Sequence, residues 1–126
     1  MKTILIVDDS TTMRRMIRAS LRMIENVSFE EAVNGLEAIE RLTIGSIDLM
    51  TLDLNMPDIH GLEVLKFIKS HQILNQIPII VLTTRSDEQT RDIVMSAGVS
   101  LLMNKPFEPQ QLMAQVVRLL NAQSVA

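Results

Sequence analysis

Leu49-Met50-Thr51-Leu52-Asp53-Leu54-Asn55-Met56-Pro57-Asp58 is an apolar run that ends in a carboxylate and continues into a turn. A near-continuous apolar run of this length is typical of a strand that is buried on both faces of an α/β sheet. Such sheets place their ligand sites just outside the carboxyl ends of their strands. Asp53 therefore lies where chemistry is expected.

Three further apolar runs lead into polar residues in the same way. If the four runs are parallel neighbours, three carboxylates, a hydroxyl and an amine converge on one edge of the sheet. This combination suits phosphoryl chemistry assisted by a hard cation. The runs and the polar residues that follow them are Thr3–Val7 with Asp8-Asp9, Ile79–Leu82 with Thr83-Thr84, and Leu101–Asn104 with Lys105.

The composition favours one soluble domain, which we expect at residues 1–122, with 123–126 as a frayed tail. The chain has 126 residues, with 12 basic and 15 acidic side chains, and this balance argues against nucleic-acid binding through a cationic surface. It has no Cys for disulfides or thiolate metal sites. Without a signal peptide pattern or an apolar run long enough for a membrane span, we expect a cytoplasmic protein that does not insert into membranes.

Helical patterns alternate with the strand patterns. Ser10, Thr11 and Thr12 are candidate N-caps of a first helix, and a weaker strand is predicted over Val27–Ala32. The order β-α five times over, with short connections, predicts a doubly wound α/β fold. The other predicted helices run from about Leu36 to Gly45, Leu62 to Ser70, Asp87 to Ala97 with Gly98 at the end, and Pro109 to about Ala122.

Two kinds of polar residue outside the apolar runs are expected at the surface. Arg14, Arg18 and Arg22 stand four apart, and we interpret them as a solvated helix face in preference to a docking patch for an acidic partner. His60 and His71 each lack a second His at metal-ligand spacing, so we expect surface residues and not ligands.

The last predicted helix has a wider apolar surface than one buried face requires. Core packing is the main interpretation. A partner-facing stripe formed by Met113, Val117 and Leu120 is the alternative.

The acidic residues Asp8, Asp9 and Asp53 would repel one another if they clustered without a counter-charge. Lys105 supplies one positive charge, and a single Mg²⁺ cancels the remaining two negative charges. A carboxylate can attack phosphorus to form an acyl phosphate. Asp53 is the best candidate for that role because it stands alone at the end of its strand. The hydroxyl of Thr83 is placed to bond a phosphoryl oxygen, and Thr84 is the alternative.

These residues resemble the receiver domains of two-component response regulators, and the resemblance covers essentially the whole chain. Asp8-Asp9 are similar to the family's acidic pair, Asp53 to its phosphoacceptor, Thr83 to its switch hydroxyl 30 positions later, and Lys105-Pro106-Phe107 to its Lys-Pro-Phe signature. Asp-x-Asn-Met-Pro at 53–57 is highly specific for this family. Thr12-Met13-Arg14-Arg15 is most similar to the chemotaxis-type members.

The resemblance implies a flavodoxin-like (βα)5 fold with a parallel five-stranded sheet in the order 2-1-3-4-5. It implies that Asp53 accepts a phosphoryl group from a His of a partner kinase. The implied metal is Mg²⁺, with Mn²⁺ able to substitute, held by Asp9, Asp53 and the main-chain carbonyl of Asn55, with Asp8 assisting through water. The Lys105-Pro106 bond is often cis in this family. Output is implied through the face built from the fourth helix, fifth strand and fifth helix.

The chain departs from the family pattern on the predicted fifth strand. The family commonly has Tyr or Phe three residues before the signature Lys, where this chain has Leu102. The aromatic half of the family's switch is therefore missing. Arg85 and Asn55 flank the expected approach of hydrolytic water, and we expect them to influence the lifetime of the phosphorylated state.

Three functions remain open at this point. The first is a binding switch without an output domain, controlled by phosphorylation, that recognises a histidine kinase and a downstream effector in chemotaxis-type signalling, as a monomer or a weak phosphorylation-dependent dimer. The second is a phosphorelay intermediate that passes the group to a His-phosphotransfer protein. The third is an aspartyl phosphatase, which Asn55 disfavours because the similar hydrolases have an Asp there. We expect no enzyme activity beyond self-phosphorylation and autodephosphorylation.

Overall fold

The computed structural model describes residues 1–54, 61–84 and 87–124. Within them, five parallel strands form one sheet in the spatial order β2-β1-β3-β4-β5, as predicted. Strand β1 pairs with both β2 and β3, so β2 lies at one edge of the sheet and β5 at the other. The strands are β1 (Lys2–Val7), β2 (Val27–Ala32), β3 (Leu49–Asp53), β4 (Ile79–Thr83) and β5 (Leu101–Asn104).

Helices cover both faces of this sheet, which completes the predicted doubly wound (βα)5 fold. The helices are α1 (Thr11–Leu21), α2 (Gly35–Ile44), α3 (Gly61–Lys69), α4 (Glu88–Ser96) and α5 (Pro109–Ser124). Helices α1 and α5 cover one face, and α2, α3 and α4 cover the other. Across residues 1–54, 61–84 and 87–124, no helix combines the length and apolar character needed to cross a membrane.

The apolar runs of the sequence become the core because the central strands are buried on both faces. Leu5 and Leu52 lie in the apolar layer under α2, α3 and α4, whereas Ile4 and Leu49 lie in the layer under α1 and α5. Each alternate side chain of a strand thus enters one of two layers, as the twofold period of a strand requires. Burial on both faces explains why these strands show apolar runs instead of alternation.

Side-chain caps begin the helices close to their predicted starts. Among the three candidates for α1, the structure selects Ser10, whose Oγ accepts a hydrogen bond from the N–H of Met13 at 3.1 Å. Asp87 caps α4 in the same way through the N–H of Thr90, at 2.9 Å. Gly98 has a positive φ of 86°, which only glycine adopts without strain, and the chain leaves α4 there. A 3₁₀ helix over Leu74–Gln76 was not predicted.

Gly61 allows α3 to start directly beside the end of β3. A Cβ atom at this position would lie 2.8 Å from the Cα of Leu54 and 3.0 Å from the carbonyl oxygen of Asp53. Its N–H also donates a hydrogen bond to the carbonyl of Leu54 at 3.2 Å. The absence of a side chain therefore permits the close approach that places the start of α3 next to the carboxyl end of β3.

Candidate functional site

The carboxyl ends of the neighbouring strands β1 and β3 bring the predicted acidic residues together. Asp8 and Asp9 follow β1, and Asp53 ends β3, which pairs with β1 in parallel. One carboxylate oxygen from each of the three residues lies within 4.8 Å of the others. Asp8 and Asp53 are buried, with 1% and 5% of their surface exposed, whereas Asp9 is exposed. The cluster is therefore open to solvent on the Asp9 side.

Lys105 enters the same cluster from the loop after β5. Its Nζ lies 2.9 Å from Oδ2 of Asp8 and 3.2 Å from Oδ1 of Asp53. Burial lowers the pKa of Lys105, but the hydrogen bond and charge of Asp8, followed by those of Asp53, outweigh it and leave the pKa above its ordinary value of 10.5. The amine therefore remains a cation at neutral pH. The Lys105-Pro106 bond is cis, as the resemblance implied.

The donor set fits a hard divalent cation. Three carboxylates and one ammonium leave two uncompensated negative charges at the site. Carboxylate oxygens with room for water ligands are what Mg²⁺ prefers. Both oxygens of Asp8 are already hydrogen-bonded, Oδ1 to the N–H of Ser10 at 2.9 Å and Oδ2 to Lys105. Asp9 and Asp53 are therefore better placed than Asp8 for direct contact with an ion.

Two further predicted positions lie at the same edge, one at the end of β4 and one directly after it. Thr83 ends this strand and is fully buried, whereas Thr84 is exposed. In the strand register Asp53 is opposite Leu82, so Thr83 lies one residue further along. The N–H of Lys105 donates to the carbonyl of Thr83 at 2.8 Å, which joins the ends of β4 and β5.

Some predicted residues lie away from this cluster or outside the described residues. Asn55, Arg85 and His60 are outside the described residues. His71 is exposed, as expected, and its Nδ1 accepts a hydrogen bond from the N–H of Leu74 at 3.4 Å.

Arg14 is the main residue that the sequence interpretation missed. We predicted a solvated face for Arg14, Arg18 and Arg22, and this was wrong for Arg14, which is only 9% exposed. Its guanidinium donates to the carbonyl of Asp8 at 2.7 Å and to Glu31 at 2.8 Å. A buried Arg needs such partners. The only signal in the sequence is the pair of Glu residues on β2. These residues make β2 look like a weak strand, and their role becomes clear only once the arginines of α1 are known to lie beside them.

Two other expectations concern apolar residues near the output elements. Leu102 occupies the position of the family's aromatic residue and is buried in the layer under α2, α3 and α4. The proposed stripe of Met113, Val117 and Leu120 is not an exposed surface, because Leu120 is buried and the other two are half-buried. Core packing is thus the correct interpretation of most of α5.

A comparison with family models decides the family. The model of the response regulator receiver domain matches residues 4–117. This chain belongs to the response regulator receiver domain family. Receiver domains are signalling proteins of two-component systems and not classical enzymes, and they work with histidine kinases and effectors. The family generally uses Mg²⁺, and the acidic cluster of this receiver domain provides suitable ligands.

The receiver domain is similar in sequence to several chemotaxis proteins. It is 37% identical to CheY1 of Helicobacter pylori over 110 residues, which cover 86% of this chain and 89% of that protein. It is 36% identical to the CheY homologue of Campylobacter jejuni over 110 residues, which cover 86% of this chain and 85% of that protein. The chain is therefore a CheY-like receiver domain.

Solved structures agree with the fold. The CheY-like receiver domain protein from Methanospirillum hungatei superposes with a TM-score of 0.88 at 26% identity, over 98% of this chain and 97% of that chain. CheY4 of Vibrio cholerae superposes with a TM-score of 0.86 at 28% identity, over 94% of this chain and 98% of that chain. The receiver fold thus extends over nearly the whole chain.

Proposed function

We propose that this receiver domain acts as a response regulator of chemotaxis-type signalling in the cytoplasm. In this proposal residues 1–122 form the receiver unit, and Asp53 accepts a phosphoryl group from a histidine kinase. Phosphorylation then changes the affinity for a downstream effector. The observation that carries the proposal is the buried Asp53 carboxylate, with Lys105 Nζ 3.2 Å from Oδ1 and two further carboxylates beside it. Similarity to chemotaxis proteins supports the signalling class.

In the proposed reaction, an Asp53 oxygen attacks the phosphorus of a phosphohistidine. The bond between phosphorus and the histidine nitrogen breaks, the acyl phosphate forms on Asp53, and the histidine nitrogen recovers a proton from water. When bound, Mg²⁺ would supply positive charge that neutralises the phosphoryl oxygens. Asp9, Asp53 and the main-chain carbonyl of Asn55 are its proposed ligands, with Asp8 acting through water and Mn²⁺ as a substitute.

Lys105 and Thr83 have proposed roles after transfer. The ammonium of Lys105 lies close enough to Asp53 to bond a phosphoryl oxygen once the carboxylate is esterified. The Thr83 hydroxyl, at the end of the neighbouring strand, is the proposed donor to a second oxygen. Engaging Thr83 biases the conformation of the segment that leads into α4. The proposed effector surface is the face of α4, β5 and α5, on a monomer or a weak phosphorylation-dependent dimer.

Incubation with acetyl phosphate and Mg²⁺ tests the acceptor. We expect intact-mass spectrometry to show one added phosphoryl group on the wild type and on Asp92→Asn, an exposed carboxylate of α4 that serves as the matched control. Asp53→Asn should stay unmodified. Equal labelling of Asp53→Asn, located elsewhere by peptide mapping, would contradict the proposal. Slow loss of the label without added partner would reveal autodephosphorylation.

Partner experiments separate the switch from the phosphorelay alternative. The chemotaxis relatives favour the switch. Phosphorylated receiver domain should therefore keep its label when mixed with His-phosphotransfer domains, and beryllofluoride-treated protein should capture an effector that untreated protein does not. Rapid transfer of the label to a His domain, without such capture, would favour the relay.

A further inference from the structure

Arg14 joins three parts of the molecule through the three nitrogens of one planar guanidinium. Nη1 donates to the carbonyl of Asp8 at 2.7 Å, Nε to Oε1 of Glu31 at 2.8 Å, and Nη2 to Oγ1 of Thr11 at 3.2 Å. The contact with Asp8 is buried, and Arg14 itself is only 9% exposed. A rigid fork of this kind fixes the relative positions of its partners, which a flexible ammonium cannot do.

The partner on Asp8 is the oxygen of the peptide unit that connects Asp8 to Asp9. A peptide unit is planar, so a bond to its oxygen fixes the whole plane up to the Cα of Asp9. The next peptide unit is also held, because the N–H of Ser10 donates to Oδ1 of Asp8 at 2.9 Å. With both flanking planes fixed, the direction in which the Asp9 side chain leaves the backbone is fixed as well.

Asp9 depends on this support more than its neighbours do. Asp8 and Asp53 are held by Lys105. Among the described residues, no hydrogen bond or ion pair holds the exposed Asp9 carboxylate. The orientation of its backbone therefore decides whether its oxygen stays within reach of the other two carboxylates.

We propose that Arg14 is a positioning residue of the acidic site, which holds the Asp8-Asp9 peptide so that Asp9 can bind the divalent cation. The inference rests on the proposed function for the identity of that cation. Arg14 does not touch the ion or the phosphoryl group. It acts through the Asp8 carbonyl, and Glu31 on β2 holds the guanidinium in place.

Arg18 provides a matched control for this role. It is one turn further along α1, it pairs with the other oxygen of Glu31 at 2.9 Å, and its guanidinium lies 5.4 Å from the ring of Phe29. It has no hydrogen bond to Asp8 among those described. The same substitution at 14 and at 18 therefore changes the charge equally and disturbs a bond to the same glutamate, but only at 14 does it also disturb the bond to the Asp8 carbonyl.

The test compares Mg²⁺ binding by wild type, Arg14→Met, Arg14→Lys, Arg18→Met and Arg18→Lys. The chain has no Trp or Tyr, so binding is measured by titration calorimetry and by shifts of the Asp9 and Ser10 amide resonances. Circular dichroism shows that each variant is folded at the temperature used. Arg14→Lys keeps the charge and the long side chain, so it serves if Arg14→Met does not fold.

We expect both Arg14 variants to raise the Mg²⁺ dissociation constant about tenfold, as is usual for residues that orient metal ligands from the outer shell. Arg18 variants should stay within about twofold. Electrostatics alone predicts the opposite sign for Arg14→Met, because removing a cation near the site strengthens the binding of another cation. The Mg²⁺ concentration for half-maximal phosphorylation by acetyl phosphate should rise by the same factor, with the rate at saturating Mg²⁺ largely retained.

Folded Arg14 variants that bind Mg²⁺ as tightly as wild type would overturn the inference, and so would equal weakening by the Arg18 variants. The proposed function is judged separately. A wild type that binds Mg²⁺ but takes no phosphoryl group contradicts that function, while the comparison of affinities still decides the role of Arg14. A wild type that binds no Mg²⁺ contradicts both.

Discussion

Helices α1 and α4 flank the same site but are held very differently. Helix α1 buries Arg14, Ile17 and Leu21 against the sheet and α5. Helix α4 buries only Val94, and its apolar residues Ile93 and Met95 remain 47% and 41% exposed. Burial of apolar surface and satisfied polar groups are what resist local opening, so α1 should open rarely and α4 readily.

Under the proposed function, this difference suits the two sides of the site to separate tasks. The α1 side carries Asp8 and Asp9, whose geometry must stay fixed to bind a cation tightly. The α4 side follows Thr83, the residue that the proposed function uses to sense a phosphoryl group. A weakly held helix there can change position for a small difference in free energy, which is what a binding switch requires.

The largest expected effect contrasts truncation of the two helices. Ile17→Ala should lower the free energy of unfolding by about 3 kcal/mol, as is usual when a buried large side chain becomes Ala. Val94→Ala should lower the free energy of unfolding by only about 1 kcal/mol. Helix α4 can open locally, so the loss of stability cannot exceed the free energy of opening this helix. Urea denaturation followed by circular dichroism measures both values, and equal losses would remove the contrast.

Thr51 lies on the face of the sheet that α1 and α5 cover. Unlike the two substitutions above, its replacement should raise the free energy of unfolding. Its hydroxyl is fully buried and has no hydrogen-bond partner among the described residues. Thr51→Val replaces the hydroxyl with a methyl group of similar size and should raise the free energy of unfolding by about 1 kcal/mol. Thr43→Val, at an exposed hydroxyl of α2, is the control and should change it little. A loss of stability in Thr51→Val would indicate that the hydroxyl has a partner.

Lowering the pH should reduce the stabilisation that Glu31 provides through its contacts with the arginines of α1. Burial raises the pKa of Glu31, but the hydrogen bonds and charges of Arg14 and Arg18 outweigh it and hold the pKa below its ordinary value of 4.5. The stabilisation is therefore present above 4.5 and is lost as the pH falls below that value. The loss should be about 0.5 kcal/mol, since the side chain is 34% exposed and screened by solvent.

Glu31→Gln checks that assignment. Over the range from about pH 6 to about pH 3, the difference in stability between wild type and this variant should shrink as the pH falls. A constant difference would mean that Glu31 is not titrating in the expected direction.

A similarly small effect concerns the C-terminal end of α4. Lys69 of α3 donates to the carbonyl of Ser96 at 2.8 Å, where a cation complements the helix dipole. Lys69→Met should lower the protection of α4 amides against hydrogen exchange by about 0.5 kcal/mol without changing that of α1. Lys66→Met, exposed on the same helix, is the control. Unchanged exchange in α4 would show that this bond does not hold the helix.

The fold could be predicted because its signals are local. The run Leu49–Asp53 is mostly apolar since β3 lies between two layers of helices, and α2 begins close to its predicted start because Asn34 caps it. Strand β2 was harder to recognise, since an edge strand with Glu30 and Glu31 is half-buried and lacks the apolar run. The 3₁₀ helix at 74–76 has too few residues to show a period.

The residues of the acidic site could be predicted from the sequence when they lie at the carboxyl end of a recognisable strand. Asp53 and Lys105 are examples, because parallel strands bring their carboxyl ends to one edge regardless of distance along the chain. The burial of Arg14 could not be predicted, because it depends on contacts with Glu31 of β2 and with the carbonyl of Asp8. Spacing along one helix shows a charged face but does not show what that face meets.

The carboxylates on β2 also have a consequence for molecules at high concentration. An edge strand leaves one row of backbone donors and acceptors open to a second chain, and such rows template aggregation. Here Glu31 points to the arginines of α1, and Glu30 lies 3.5 Å from Arg41 of α2, so each side of the strand ends in a charged pair. Charged side chains on an edge strand are a common protection against such pairing, so we expect the β2 edge to resist pairing with the β2 edge of a second chain.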